Sequence, residues 1–206
     1  VVRYVDRNGV LVKNRWITVS GKKYYFDQYG HALKGRKKVG QNYYYFQTKY
    51  GYMMKHVRYM DSKDDLYYFG GDGIMVKSVF YTWSGNNESH TYYFTASGRA
   101  CRSWLRHDGK KYYFDSNGVM LTGWVSMANE GDSSDVDPTG ISSFKYFGDD
   151  NDGQMSKGWK CLSDYPEDSD DSSNIVEATA SNAQRYGSSD GNGSWYYFDS
   201  NGKPKY

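Results

Sequence analysis

The chain has 206 residues, 38% hydrophobic and 18% aromatic, with 23 Tyr, 23 Gly, 3 Pro, 2 Cys and a formal net charge of +2. So few aliphatic residues exclude a domain built round one aliphatic core, while the aromatic share excludes a disordered chain, which is poor in rings. Two cysteines, Cys101 and Cys161, exclude a disulfide framework, and no apolar run is long enough to span a bilayer as a helix.

The charge is divided along the chain: residues 1–127 hold 20 Lys and Arg against 9 Asp and Glu, and residues 128–206 hold 6 against 15. A basic half can gather a polyanion at its surface. Its lysines are nonetheless scattered through predicted turns, with Arg36-Lys37-Lys38 as the longest run, which is the pattern of a solvated face.

Read from the N-terminus, one pattern recurs: aromatic residues, Phe, a few polar residues, then Gly. The tail of one copy, Tyr4-Val5-Asp6-Arg7-Asn8-Gly9, opens the chain, and the abrupt start inside a repeat suggests a piece of a longer, processed protein. Seven copies follow, with Phe26, Phe46, Phe69, Phe94, Phe114, Phe147 and Phe198 trailed by Gly30, Gly51, Gly73, Gly98, Gly118, Gly153 and Gly202. Successive phenylalanines lie 20, 23, 25, 20, 33 and 51 residues apart, so the array keeps a unit of roughly 20 residues until insertions enter near its end.

Each unit reads as one β-hairpin. In the first, strand 15–19 is followed by a turn at Ser20-Gly21-Lys22, strand 23–27 and a glycine turn near Gly30. An isolated hairpin is marginal in water, so stability must come from stacking on neighbours. The fold class expected is therefore all-β, a solenoid of stacked hairpins from about eight tandem repeats. It forms one array over 1–206, basic and regular over 1–127 and acidic with long loops over 128–206. Strand alternation puts Tyr24 and Phe26 on one face and Lys23 and Tyr25 on the other. The Phe face is assigned to the core and the opposite face to the seams between repeats.

These residues resemble the cell-wall-binding repeat family, which includes choline-binding modules and the related repeats of glucan-binding enzymes and clostridial toxins. The resemblance rests on Gly21-Lys22-Lys23-Tyr24-Tyr25-Phe26-Asp27, its copy over 109–115, Gly193-Ser194-Trp195-Tyr196-Tyr197-Phe198-Asp199, and the pairs Gly123-Trp124 and Gly158-Trp159. It implies a non-catalytic module of a secreted, cell-wall-associated bacterial protein. Choline-bearing teichoic acid, polysaccharide or another glycan would lie between aromatic hairpins, with no cofactor. In choline-binding members the family pattern supplies a cage from a strand-opening Trp, an aromatic three residues before the motif Phe, and the Tyr just before it. Such rings hold a quaternary ammonium through their quadrupoles.

The Tyr before Phe is present in all seven copies, but the position three before reads Lys23, Tyr43, Leu66, Thr91, Lys111, Phe144 and Trp195. The opening Trp survives as Trp16, Trp104, Trp124 and Trp159, whereas Gly35 is followed by Arg36 and the middle repeats offer Val57 or Val79. A lysine or arginine in a cage would repel choline. The expected ligand-binding residues are therefore Trp124, Phe144, Tyr146 and Trp159, with Trp159, Trp195 and Tyr197 as a second cluster.

The insertions over 129–142 and 162–194 stand where hairpin turns belong and read either as lids or as loose excursions. Gly148-Asp149-Asp150-Asn151-Asp152-Gly153 resembles a calcium loop only until its register is tested: Gly148 falls on the first ligand position and Trp159 where a bidentate Glu belongs, so no metal is expected. His31, His56, His90 and His107 sit in different repeats without a nucleophile partner, which argues against an enzyme. The recurring Asp27, Asp115 and Asp199 suit Asx turns. Nucleic acid is not expected, because the rings are tied to hairpin positions and the acidic half opposes polyanion binding. The competing reading is a structural stalk or adhesion surface whose seams are filled by protein side chains; the oligomeric state stays open.

Overall fold

The computed structural model of the protein describes residues 1–85, 88–127, 144–148, 152–162 and 194–205. The described residues form strands and turns without a helix, the all-β class expected, and none provides a helix long and apolar enough to cross a membrane. Two compact units are present, Val1–Cys101 and Arg102–Tyr206.

In the first unit, antiparallel hairpins pair β1 (Arg15–Val19) with β2 (Lys22–Phe26), β3 (Gly35–Val39) with β4 (Asn42–Phe46), β5 (Val57–Met60) with β6 (Leu66–Phe69), and β7 (Val79–Gly85) with β8 (Glu88–Phe94). The second unit pairs β9 (Ser103–His107) with β10 (Lys110–Phe114), β11 (Trp124–Ser126) with β12 (Phe144–Tyr146), and β13 (Gly158–Leu162) with β14 (Ser194–Phe198), which also takes β15 (Pro204–Lys205). The insertion 129–142 lies outside the described residues, as does the insertion 162–194 except for its ends, since Leu162 closes β13 and Ser194 opens β14 as paired strand residues.

The turns explain the strand limits. Ser20 and Gly21 have φ of 48° and 74°, the two positive values a type I′ hairpin turn requires. Lys22 therefore opens β2 opposite Val19, so the turn has two central residues rather than the three expected and the second strand starts one residue early. Asp108 and Gly109 make the same turn in the second unit.

After Phe26, Phe114 and Phe198 the chain folds back on an Asx turn. Asp27 Oδ1 accepts the N–H groups of Tyr29 and His31 at 2.9 and 2.8 Å. Asp115 and Asp199 serve Asn117 with Val119 and Asn201 with Lys203 in the same way. After Phe46, Gln47 Oε1 instead accepts the N–H groups of Lys49 and Tyr50, two and three residues on. At Asp6 the N–H of Val10, then that of Asn8 and the Arg15 guanidinium, hold the carboxyl below its ordinary range against a partial opposing effect of burial.

Hairpins are joined by connectors that bond in two directions. Leu33, Met54 and Val76 each donate N–H to the Tyr preceding the Phe of their own hairpin, at Tyr25, Tyr45 and Tyr68. The residues just before them reach back: Ala32 donates to Val2, Met53 to Lys23 and Met75 to Tyr43, and Ala100 likewise donates to Leu66. In the second unit Met155 donates to Lys111 and Ser156 to Tyr146. The carbonyl three before Phe26, Phe46, Phe69 and Phe114 is thus the backbone seat for the next repeat.

This stacking closes the core. Phe26, Phe46, Phe69, Phe94, Phe114, Phe147 and Phe198 are all buried, as the assignment of the Phe face to the core requires. Gly30, Gly51, Gly73, Gly98, Gly153 and Gly202 each lie against the connector side chain of the preceding repeat. At Gly73, φ is +82° and an added Cβ would stand 2.6 Å from Met53 Sδ; Gly98 meets Met75 and Gly202 meets Met155 in the same way. Only a residue without a Cβ satisfies both the left-handed backbone and the close approach.

Gly73→Ala should destabilise the chain by about 2 kcal/mol in urea unfolding, from the left-handed backbone and the displaced thioether. Combined with Met53→Ala, it should cost less than the sum of the two single changes; strict additivity would contradict the packing described.

Candidate functional site: the seams between hairpins

The ladder register identifies one position in each hairpin that lies directly across from the Tyr before Phe. Trp16 pairs with Tyr25, Arg36 with Tyr45, Arg58 with Tyr68, Phe80 with Tyr93, Trp104 with Tyr113, Trp124 with Tyr146 and Trp159 with Tyr197. Arg58 and Phe80 therefore occupy the strand-opening position in the middle repeats, not Val57 and Val79, which pair with Phe69 and Phe94. The shift arises because His56 and Ser78, at φ of 48° and 53°, precede the strand where Gly35 and Gly123 stand within the equivalent step.

In the first seam, the Trp16 indole meets Tyr25 of its own hairpin at 5.3 Å and Tyr44 of the next at 4.9 Å, both edge-on, and stacks on Phe46 at 5.8 Å. Two successive hairpins thus build one aromatic corner, in which Lys23 Nζ lies 4.7 Å from the Trp16 centroid. In the second seam, Tyr45 packs on Tyr59 at 4.6 Å and on Phe69 at 5.8 Å. There the Arg36 guanidinium lies 3.9 Å over Tyr67 and reaches the Asp61 carboxylate at 3.9 Å. Backbone N–H donation from Lys63, joined by Asp65, Tyr67 and Arg36, keeps the Asp61 carboxyl below its ordinary range although partial burial opposes it.

The third seam is hydrogen-bonded as well as packed. Tyr81 Oη donates to Tyr68 Oη at 2.8 Å, and Tyr68 Oη lies 3.4 Å from His56 Nδ1. Their rings stand 4.3 Å apart, and Tyr68 covers Phe94 at 6.4 Å. Burial first, then the Tyr81 hydroxyl, pushes the Tyr68 phenol up to about 12. Arg58 lies 4.5 Å over Trp83 and donates to Tyr92 Oη at 3.4 Å, while the other neighbour of Trp83 is the parallel ring of His90 at 6.3 Å.

In the second unit, Trp104 repeats the Trp16 arrangement: Tyr113 is 5.0 Å away, Phe147 of the next hairpin 5.6 Å, and Lys111 Nζ 6.0 Å from the indole. Trp104 is 39% exposed, which leaves its ring open to a ligand. Further on, Tyr146 lies 6.3 Å from Phe198 and borders a polar cleft of about 280 Å³ with Asp152, Gln154, Ser156, Lys157 and Lys160. Burial raises the Tyr112 phenol, with Asp152 and Asp108 adding to the shift.

Of the residues expected to bind ligand, the register brings Trp124 opposite Tyr146, Phe144 opposite Ser126, Trp159 opposite Tyr197 and Trp195 opposite Cys161. The side chains of Trp124, Phe144, Trp159 and Trp195 lie outside the described ones; that of Tyr197 is exposed. Asp149, Asp150 and Asn151 of the calcium-like run are outside the description. Among the described residues no group of three or more His, Cys, Asp or Glu is placed to hold a metal ion.

The sequence pattern missed Arg58, Phe80, Tyr81 and Trp83 as seam residues. Counting from the turn glycine places Val57 and Val79 there; only the alternation that keeps each strand-opening residue across from the Tyr before Phe would have found Arg58 and Phe80.

A family model described as the choline-binding repeat matches residues 101–134, and one described as a putative cell wall binding repeat matches 14–31 and 189–203. Glucosyltransferase-S of Streptococcus mutans is 34% identical over 134 residues, which are 62% of this chain and 9% of that protein. Among solved structures, CbpJ of Streptococcus pneumoniae superposes with a TM-score of 0.66 at 20% identity, over 98% of this chain and 56% of the other. Choline binding protein F of Streptococcus pneumoniae, in the presence of a peptidoglycan analogue, gives 0.61 at 22% identity over 96% and 54%. The chain thus spans a small part of its glucosyltransferase relative and about half of these solved chains, and the structural likeness shows the fold.

The raised Tyr68 phenol sets a pH limit on the third seam. Its contribution to stability is complete below its ordinary value of 10.0 and is lost as the pH climbs to about 12. The urea midpoint should fall across that window, and Tyr68→Phe should remove that part of the fall; an identical profile in the variant would exclude Tyr68 as its source.

Proposed function

The chain belongs to the cell-wall-binding repeat family, and we propose that it acts as a non-catalytic module holding choline or glycan units of a wall polymer outside the bacterial cell. The observation that carries this reading is the aromatic corner built by two successive hairpins, with Trp16 between Tyr25 and Tyr44 and Trp104 between Tyr113 and Phe147. Such a corner offers an apolar platform to the C–H face of a sugar and, in a hairpin without a lysine three residues before Phe, ring faces to a quaternary ammonium, worth roughly 0.5–2 kcal/mol per ring. Single sites of that strength are weak, and an array spread along one polymer gains its hold by multivalency.

The residues assigned to the principal site are Trp124, Phe144, Tyr146 and Trp159, with Trp159, Trp195 and Tyr197 beside them. The register supports this by setting Trp124 across from Tyr146 and Trp159 across from Tyr197. The cleft beside Tyr146 adds a carboxylate, an amide, a hydroxyl and two ammonium groups, the mix that recognises sugar hydroxyls. The parts of the relatives that match are small fractions of their length, in keeping with a binding array whose catalytic partner, where there is one, lies elsewhere in a longer protein.

A second reading, a stalk or adhesion surface, draws on the second and third seams, where Tyr45, Tyr59, Tyr68 and Tyr81 pack on one another and protein side chains fill the space.

Trp124→Ala combined with Trp159→Ala should abolish saturable binding of choline and of glucan or peptidoglycan fragments, followed by tryptophan fluorescence, and release the chain from wall material. Undiminished retention on walls would favour the adhesion reading.

A further inference from the structure

Four of the hairpins lay a cation of the chain itself on a seam ring. Lys23 Nζ stands 4.7 Å over Trp16 and Lys111 Nζ 6.0 Å over Trp104, while Arg36 lies 3.9 Å over Tyr67 and Arg58 4.5 Å over Trp83. The sequence reaches this arrangement by two routes. In the second and third hairpins arginine replaces the strand-opening Trp and stacks its guanidinium on a ring of the following hairpin. In the first and fifth hairpins the Trp is kept, and the lysine three residues before Phe reaches it diagonally across the ladder.

The backbone fixes where those lysines begin. The Lys23 carbonyl accepts the N–H of Met53, and the Lys111 carbonyl accepts that of Met155, so each lysine is anchored at the junction of two hairpins. An ammonium on a tether this short has an effective concentration on the order of millimolar or more at the indole. It uses the same attraction to the ring face that a quaternary ammonium would use. Hairpins six and seven carry Phe144 and Trp195 at that position instead.

We propose that Lys23 and Lys111 are specificity-determining residues: each is a built-in cationic occupant of an indole face, at Trp16 and Trp104, and bars small quaternary ammonium ligands from those two seams. The inference rests on the reading of the seams as ligand seats. It closes the Trp16 and Trp104 corners to cations, whereas hairpins six and seven carry no lysine at the equivalent position.

Two measurements on the full chain test it. In NMR spectra the ε-methylene protons of Lys23 and Lys111 should be shifted upfield by the indole ring current. They should return to ordinary positions in Trp16→Leu and Trp104→Leu respectively; ordinary shifts in the parent chain would overturn the proposal. In calorimetric titration with choline chloride, the double variant Lys23→Trp/Lys111→Trp, with its circular dichroism unchanged, should gain two saturable sites per chain over the parent. One of these should disappear again on adding Trp16→Ala. An unchanged site count would overturn the proposal, and if the variant misfolds the ring-current test still decides. A parent chain that binds neither choline nor glycan would remove the proposed function alone, since both readouts compare variants with that parent.

Discussion

A two-stranded hairpin has no layer of its own to cover its apolar face, and the rest of the structure follows from that constraint. Every motif Phe, from Phe26 to Phe198, is buried, at roughly 1.5–3 kcal/mol each for a fully buried side chain. The cover comes largely from the neighbouring repeat: Trp16 lies on Phe46, Tyr45 on Phe69, Tyr68 on Phe94 and Tyr146 on Phe198. The connector bonds from Met53 to Lys23 and from Met75 to Tyr43 hold the neighbours at the spacing that this cover needs. Stability in such an array is the sum of nearest-neighbour interfaces, and the turn glycines are where those interfaces come closest.

The same side chains serve stability and recognition. Tyr45, Tyr68, Tyr113 and Tyr146 each cap the Phe of the next hairpin with one part of the ring and wall the seam with another, so such a seam cannot be emptied of rings without exposing a core phenylalanine. What varies from seam to seam is the residue across from that Tyr and the residue three before Phe. Varying these two positions changes the ligand chemistry from indole to guanidinium or ammonium while leaving the Phe stack in place. The tightly packed pair Tyr68 and Tyr81 is a seam given over to packing; at Trp104 the indole stays partly exposed beside Lys111.

Much of this was legible in the residues themselves. The Phe and Gly series marked the core and the turns, because only a period of roughly 20 residues with rings and glycines in fixed order is compatible with stacked hairpins. Asp27, Asp115 and Asp199 were legible as Asx turns because a carboxylate two and four residues before N–H groups has a local partner and needs no distant one. The seam residues of the middle repeats were not. One residue more or less before a strand moves every side chain to the other face, and the compensating positive φ at His56 and Ser78 is set by pairing across the ladder.

By itself, then, the sequence determined the all-β class, the repeat, the buried phenylalanines and the face on which ligands are sought, since these depend on local period and on turn chemistry that acts within a few residues. Tertiary structure alone decided that Ser20 and Gly21 complete the first turn, that Arg58 and Phe80 stand in the Trp position, and that Lys23 lies on Trp16. Each of these is fixed by a partner on another strand or another repeat, and the register that selects the partner is an outcome of packing over many residues, which no short stretch of chain encodes.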